Sequence, residues 1–257
     1  MSKQAIRCTV SNYVATVTMD RAPVNAVNQQ FLDELTAVFD SFNDRDDVRA
    51  AVLIGEGKCF CAGADIKARA ERSGEPGEGW QHSRRAREAF HSIVECQVPV
   101  VGAVNGPALG AGLALAASCD ILIGSERAVL GLPEINVGLL GGGRHTMRLF
   151  GHSKGRRMMF TGERIGADEL YRLGVIDAVY APDALLDEAT TLAADIASKS
   201  PIAMKLAKQA MNAIEFMSLR DGYRYEQNMT AELSHYEDSA EAMQAFVEKR
   251  DPVFTGR

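Results

Sequence analysis

Short apolar runs constrain this chain more than any other feature. Ala50-Ala51-Val52-Leu53-Ile54, Val100-Val101-Gly102-Ala103-Val104 behind Pro99, and Ile121-Leu122-Ile123 behind Asp120 are continuous, and each closes on a glycine or asparagine. A run with no polar alternation reads as a strand covered on both faces, the mark of a parallel sheet. Stretches of helical period lie between the runs. Strand, helix, strand, helix in that order means right-handed crossovers and stacked turns. Ahead of them, Ile6, Cys8 and Val10 alternate, Ser11-Asn12 turns the chain, and Val14 to Met19 returns, which predicts a hairpin. Asn28 then stands as an N-cap before Phe31, Leu32, Leu35, Val38, Phe39 and Phe42, which recur at helical spacing.

The chain has 257 residues, 46% apolar and 24% charged, enough for a full core. A net charge of −6 speaks against nucleic acid as the main partner, because phosphate binding needs concentrated positive charge. The first residues hold no signal-like apolar segment, and no run is long enough to span a bilayer, so the expectation is no membrane and a cytoplasmic address. Cys8, Cys59, Cys61, Cys96 and Cys119 are odd in number and scattered, which fits reduced, packed thiols and no metal site.

From Ser153 onward the pattern is almost all helix: 184–199, a segment opened by Pro201 in its first turn, then about 218–236 and 239–250. The division expected is an α/β core over 1–200 and a helical part over 201–257. Residues 70–81, rich in Gly, Glu, Ser and Pro, read as a loop and a candidate flap over a ligand.

The chemistry is expected in two small-residue stretches that follow strand-like runs, Phe60-Cys61-Ala62-Gly63-Ala64-Asp65-Ile66-Lys67 and Val104-Asn105-Gly106-Pro107-Ala108-Leu109-Gly110-Ala111-Gly112. Both leave backbone N–H groups accessible. Together such loops can hold one oxygen that becomes negative during a reaction. With Ala22 to Asn28, Cys119-Asp120, Pro133-Glu134-Ile135 and the ending Lys249 to Phe254, they occur in order along nearly the whole chain. On these residues the chain resembles the crotonases, the enoyl-CoA hydratase/isomerase superfamily.

The resemblance implies an α/β spiral of ββα turns with a C-terminal helical region that packs into a homotrimer, often doubled to a hexamer. It implies an acyl-CoA substrate, with coenzyme A as part of that substrate and no tightly bound cofactor. The thioester oxygen would sit on the backbone N–H groups of Ala64 and Ala111, where the family usually has glycine at the second position. The backbone around Val24, Ala26, Ala62, Asp65 and Ile66 would line the adenine end, and Asp65 would also cap the next helix. Gly110, Ala114 and Arg144 would line the acyl pocket, and Lys249, Arg250 and Arg257 would reach phosphates from a neighbouring subunit.

Glu134 matches the family's acid/base carboxylate, the group that moves a proton at the carbons beside the thioester. The second glutamate of typical hydratases is Ala114 here. That departure shifts weight from hydration toward a single-glutamate Δ3,Δ2-enoyl-CoA isomerase. A thioester hydrolase or decarboxylase and a non-catalytic acyl-CoA or RNA binder are further alternatives. In Gly141-Gly142-Gly143-Arg144-His145 the pattern departs again. His145 is a candidate to replace the absent carboxylate, because imidazole titrates near neutral pH, with a helix-terminal histidine bonded to backbone as the other reading. Arg144 is a candidate for an acidic acyl group or for a structural ion pair. Arg84, Arg85 and Arg87, mixed with Glu88 and Glu95, read as a solvated helix face.

Overall fold

The computed structural model describes residues 3–66, 68 and 75–257. The hairpin is β1 (Ile6–Ser11) and β2 (Val14–Met19), paired antiparallel with Ile6 opposite Met19. Its turn sits one residue later than expected, at Asn12-Tyr13, both with positive φ (50° and 64°), as tight hairpin turns need. The Arg49 guanidinium lies 4.1 Å over the Tyr13 ring and holds that residue in place.

Helix α1 (Gln29–Ser41) starts where Asn28 caps it, its side-chain oxygen accepting from the Phe31 N–H at 2.9 Å. Phe31, Leu32, Leu35 and Phe39 form its buried stripe. On its other flank the Glu34 carboxylate accepts from the N–H groups of Ala5 and Ile6, fixing the entry to β1.

The runs read as buried strands are β3 (Ala50–Gly55), β4 (Val100–Val104) and β6 (Ile121–Ser125). With β9 (Val179–Tyr180) they complete a six-stranded sheet of order β1-β2-β3-β4-β6-β9, parallel from β2 onward. Alternation along each run divides the core. Ala51, Leu53, Val100 and Val104 face one side, packed with α1 and with Ile93 and Leu113. Ala50, Val52, Val101 and Ala103 face the other, under Leu185, Ala189, Ala193 and Ala197. A second, three-stranded sheet contains β5 (Pro107–Leu109), β7 (Val129–Gly131) and β8 (Arg164–Gly166) in that order. The chain crosses from the large sheet to the small one after β4 and after β6.

Helices α2 (Glu78–Glu95) and α3 (Ala111–Ser118) flank the first sheet face. Then come α4 (Gly143–Leu149), α5 (His152–Thr161) and α6 (Ala167–Arg172), followed by α7 (Leu185–Ala197), which covers the opposite face. The region read as almost all helix therefore also holds β8 and β9, three and two residues long. Strands this short carry no period of their own; tertiary pairing decides them. The segment expected as a loop over 70–81 is already helical from Glu78; residues 70–74, and Lys67 in the motif, lie outside the described residues.

The last helices are α8 (Pro201–Ile214), α9 (Leu219–Leu233) and α10 (Glu237–Glu248). Ser200 caps α8 through Ala203 N–H, and Pro201 takes its first position. Lys208 pins α8 to the core. Its buried ammonium meets Asp120 Oδ2 at 2.8 Å and donates to the carbonyls of Ile93 and Val98 at 3.0 and 2.9 Å. Asp238, 1% exposed, gathers the chain end by accepting from Ser200 Oγ and from the N–H groups of Thr255 and Gly256. Among the described residues no helix is long and apolar enough to cross a membrane, and no three His, Cys, Asp or Glu side chains gather as metal ligands.

Candidate active site

The two small-residue loops are stitched to each other. Cys61 bridges to Ala108 in parallel, its N–H donating to Pro107 O at 3.0 Å and its carbonyl accepting from Leu109 N–H at 2.9 Å. Ala64 bridges to Val27, and that bridge uses the Gly63 carbonyl and the Asp65 N–H. In a parallel bridge the central residue's own N–H points the other way, so the Ala64 amide is turned from Val27. Ala111 is the first residue of α3, where a helix leaves its N–H without an internal partner. A Cβ built on Gly63 would lie 3.6 Å from the Ala111 nitrogen, so the two amide-bearing segments are neighbours. The positive end of α3 adds to the pull on an anion there.

Ala64 and Ala111 both line one cavity of about 820 Å³. Glu134 reaches the same cavity from the 3₁₀ turn Pro133–Val137. Gly110 makes room for it. Its φ of 54° and ψ of −113° suit only glycine, and a Cβ there would meet the Glu134 carboxylate oxygens at 3.1 and 3.2 Å. Glu134 Oε2 is buried and accepts no hydrogen bond. Burial raises the carboxyl above its ordinary pKa, and the residue's own backbone N–H offsets part of that rise. A half-buried carboxylate with one unsatisfied oxygen, lining one cavity with Ala64 and Ala111, is a candidate to exchange a proton there.

The same cavity is lined by Ala62 and Ile66, expected at the adenine end, by Gly110 and Ala114, expected in the acyl pocket, and by the candidate His145. Burial lowers the pKa of His145, and the charges of His91, Arg144 and Arg148 lower it further, so its imidazole is held neutral. Phe90 meets that ring edge-on with centroids 5.3 Å apart.

Other expected residues stand elsewhere. Arg144 is exposed and lies 4.3 Å over the Phe216 ring, away from the cavity lining, because its position on α4 faces the C-terminal helices. Val24 and Ala26 are not in the lining; their carbonyls accept from Ala62 N–H and from Arg21. Asp65 accepts from Ala68 N–H at 3.1 Å, as a cap does, and pairs with Arg21 at 2.7 Å. Arg250 is held by Glu241 and Glu248 of its own chain, and the Arg257 carbonyl accepts from Asp238 N–H. The arginines of α2 divide: Arg85 pairs with Asp33, while Arg87 lines the cavity.

The family model described as Enoyl-CoA hydratase/isomerase matches residues 9–257. The chain belongs to that family. It is 36% identical to the probable mitochondrial enoyl-CoA hydratase of Dictyostelium discoideum, over 94% of this chain and 87% of that one. It is 35% identical to the (7aS)-7a-methyl-1,5-dioxo-2,3,5,6,7,7a-hexahydro-1H-indene-carboxyl-CoA hydrolase of Mycobacterium tuberculosis, over 92% and 95% of the two chains. The enoyl-CoA hydratase structure from Bacillus anthracis superposes with a TM-score of 0.93 at 32% identity, covering 99% of this chain and all of that one. The crotonase fold expected from the motifs is thereby established.

Sequence reasoning missed one wall of this crotonase cavity. Helix α2 presents His82, Ser83, Ala86, Arg87, Phe90 and His91 to it. Their spacing of three and four was available as a signal. The polar residues among them disguised the face as a solvated one.

Proposed function

We propose that this family member is an acyl-CoA-processing enzyme of the enoyl-CoA hydratase/isomerase type. The thioester oxygen binds the N–H groups of Ala64 and Ala111, and Glu134 transfers the proton. Removing a proton beside the thioester carbonyl sends its electron pair onto the oxygen, and the two amides hold the enolate that forms. Losing one such donor costs about 3–4 kcal/mol of barrier in comparable sites, which sets the scale. The observation that carries the reading is the unpaired Glu134 carboxylate in one cavity with both amides.

Within that type, isomerisation is the reaction favoured. Among the described lining residues Glu134 is the one carboxylate, and Ala114 offers no second. One base can take a proton from one carbon and return it to another, whereas clamping an attacking water takes two groups. His145, an imidazole on the same cavity whose pKa burial lowers, is a candidate to assist hydration. Thioester hydrolysis is the second reading, supported by the similarity to a CoA hydrolase at 35% identity, level with the hydratases.

The Ala62 and Asp65 N–H groups are already engaged, so those residues offer an adenine their carbonyls. The exposed apolar faces of α9 and α10 support assembly as a homotrimer or a dimer of trimers. The test is conversion of a 3-enoyl-CoA to the conjugated 2-enoyl thioester alongside hydration of crotonyl-CoA, each followed by the conjugated absorbance, with products weighed by mass spectrometry. Rapid hydration with no double-bond migration would reject the isomerase, and neither reaction with release of free acid would favour the hydrolase.

A further inference from the structure

One wall of the cavity carries basic side chains. His91 and Arg87 line it from α2, and His145 lines it from α4. His91 and His145 are close enough for a charge on one to bear on the other. His145 lies within a turn of Gly142, whose Cβ position is 4.0 Å from Glu134 Oε1. These groups therefore share the cavity with Glu134, His145 on a segment near its carboxylate. Their present partners leave donors over. Arg87 Nε meets Glu88 at 3.2 Å, one of a guanidinium's five donors, and His91 Nδ1 approaches Glu95 only to 4.0 Å. An unsubstituted alkyl chain laid here would cover imidazole and guanidinium donors without satisfying them. Ala86, Phe90 and Leu139 supply apolar floor between.

We infer that the acyl group of the physiological thioester carries a carboxylate beyond the reacting carbons, received by His91, His145 and Arg87. The inference rests on the acyl-CoA reading above and adds the substrate class to it. A substrate carboxylate would take up the donors that Glu88 and Glu95 leave over. Charge-assisted hydrogen bonds to it are roughly twice as strong as neutral ones, and bound there it draws a proton onto His145.

The experiment compares crotonyl-CoA with glutaconyl-CoA, the enoyl thioester with a terminal carboxylate, by kcat/KM on the full chain. At least about tenfold preference for glutaconyl-CoA is expected, the effect of one charge-assisted contact. Arg87→Met and His91→Phe should each cut that ratio severalfold, and His91→Gln, which keeps a donor, should retain more of it than His91→Phe. Equal or reversed preference in the wild type overturns the inference and leaves the acyl-CoA reading intact. Should neither thioester turn over, calorimetric titration with butyryl-CoA and glutaryl-CoA decides the matter. Tighter binding of glutaryl-CoA by about tenfold supports the carboxylate pocket, and equal binding overturns it. Failure to bind any CoA thioester overturns both readings together.

Discussion

Glu134 concentrates a conflict between stability and chemistry in one side chain. Its carboxyl is raised by burial and its Oε2 has no partner. The fold therefore prefers the protonated form. That preference favours folding below the ordinary carboxylate pKa and is lost as pH rises through the raised one, so at neutral pH the ionised group weighs against the fold. Glu134→Gln is expected to reduce turnover at least about a hundredfold while CoA-thioester binding persists. At neutral pH it should melt no lower than the wild type by calorimetry, with roughly 2–4 °C gained per kcal/mol recovered. Unchanged turnover would remove Glu134 from the mechanism. In the wild type, kcat/KM should fall toward acid with a midpoint above that of an ordinary glutamate, because the base must be ionised. Gly110 belongs to the same balance. Gly110→Ala forces a positive-φ conformation on a side chain that also meets the Glu134 oxygens. About 1–3 kcal/mol of stability should be lost, together with most activity, measured by denaturant unfolding and by turnover.

At the scale of elements, the contacts between segments matter more than the segments alone. Helix α3 is short and buried almost throughout, with no amphipathic face to orient it. Its position is set by the stitched loops before it. Helix α8 is held by Lys208, whose side chain is 4% exposed while Asp120 is 22% exposed. Lys208→Met leaves Asp120 without its cation and the Ile93 and Val98 carbonyls with only the weak Cys96 thiol donor. The expected cost is about 3–5 kcal/mol by urea unfolding, and adding Asp120→Asn should return part of it. A loss below 1 kcal/mol would mean that water replaces the ammonium freely. The buried thiols act as packing. Cys61 is fully buried and its thiol is pushed up to about 12, so it stays protonated at neutral pH.

At the scale of the molecule, the C-terminal helices present more apolar surface than one chain can cover. Leu219 is 93% exposed, Phe246 86% and Val247 79%. Met243, Phe246 and Val247 form one stripe of α10, spaced three and one. Contiguous apolar surface of this kind marks an interaction face. On the assembly proposed above, sedimentation equilibrium should give a trimer or a multiple of it, and Phe246→Glu should shift the population to smaller species. A monomeric wild type at micromolar concentration would count against that assembly.

The sequence by itself determined the parts whose signal is local. Continuous apolar runs marked β3, β4 and β6, because a strand buried on both faces needs no polar alternation. Asn28 and Pro201 marked the starts of α1 and α8, because a cap is a contact within one turn. Family motifs pointed to Glu134, Ala64 and Ala111, which now share a cavity. Tertiary structure alone decided the rest. Strands of two and three residues such as β9 and β8 form only when a neighbour offers its edge. Arg144 was a pocket candidate until Phe216, far along the chain, drew it outward. The α2 wall, with Phe90 against His145, exists because the long-range packing of α2 turns that side inward. A side chain's partner across the fold depends on how many elements pack at once, and no single stretch of sequence contains that information.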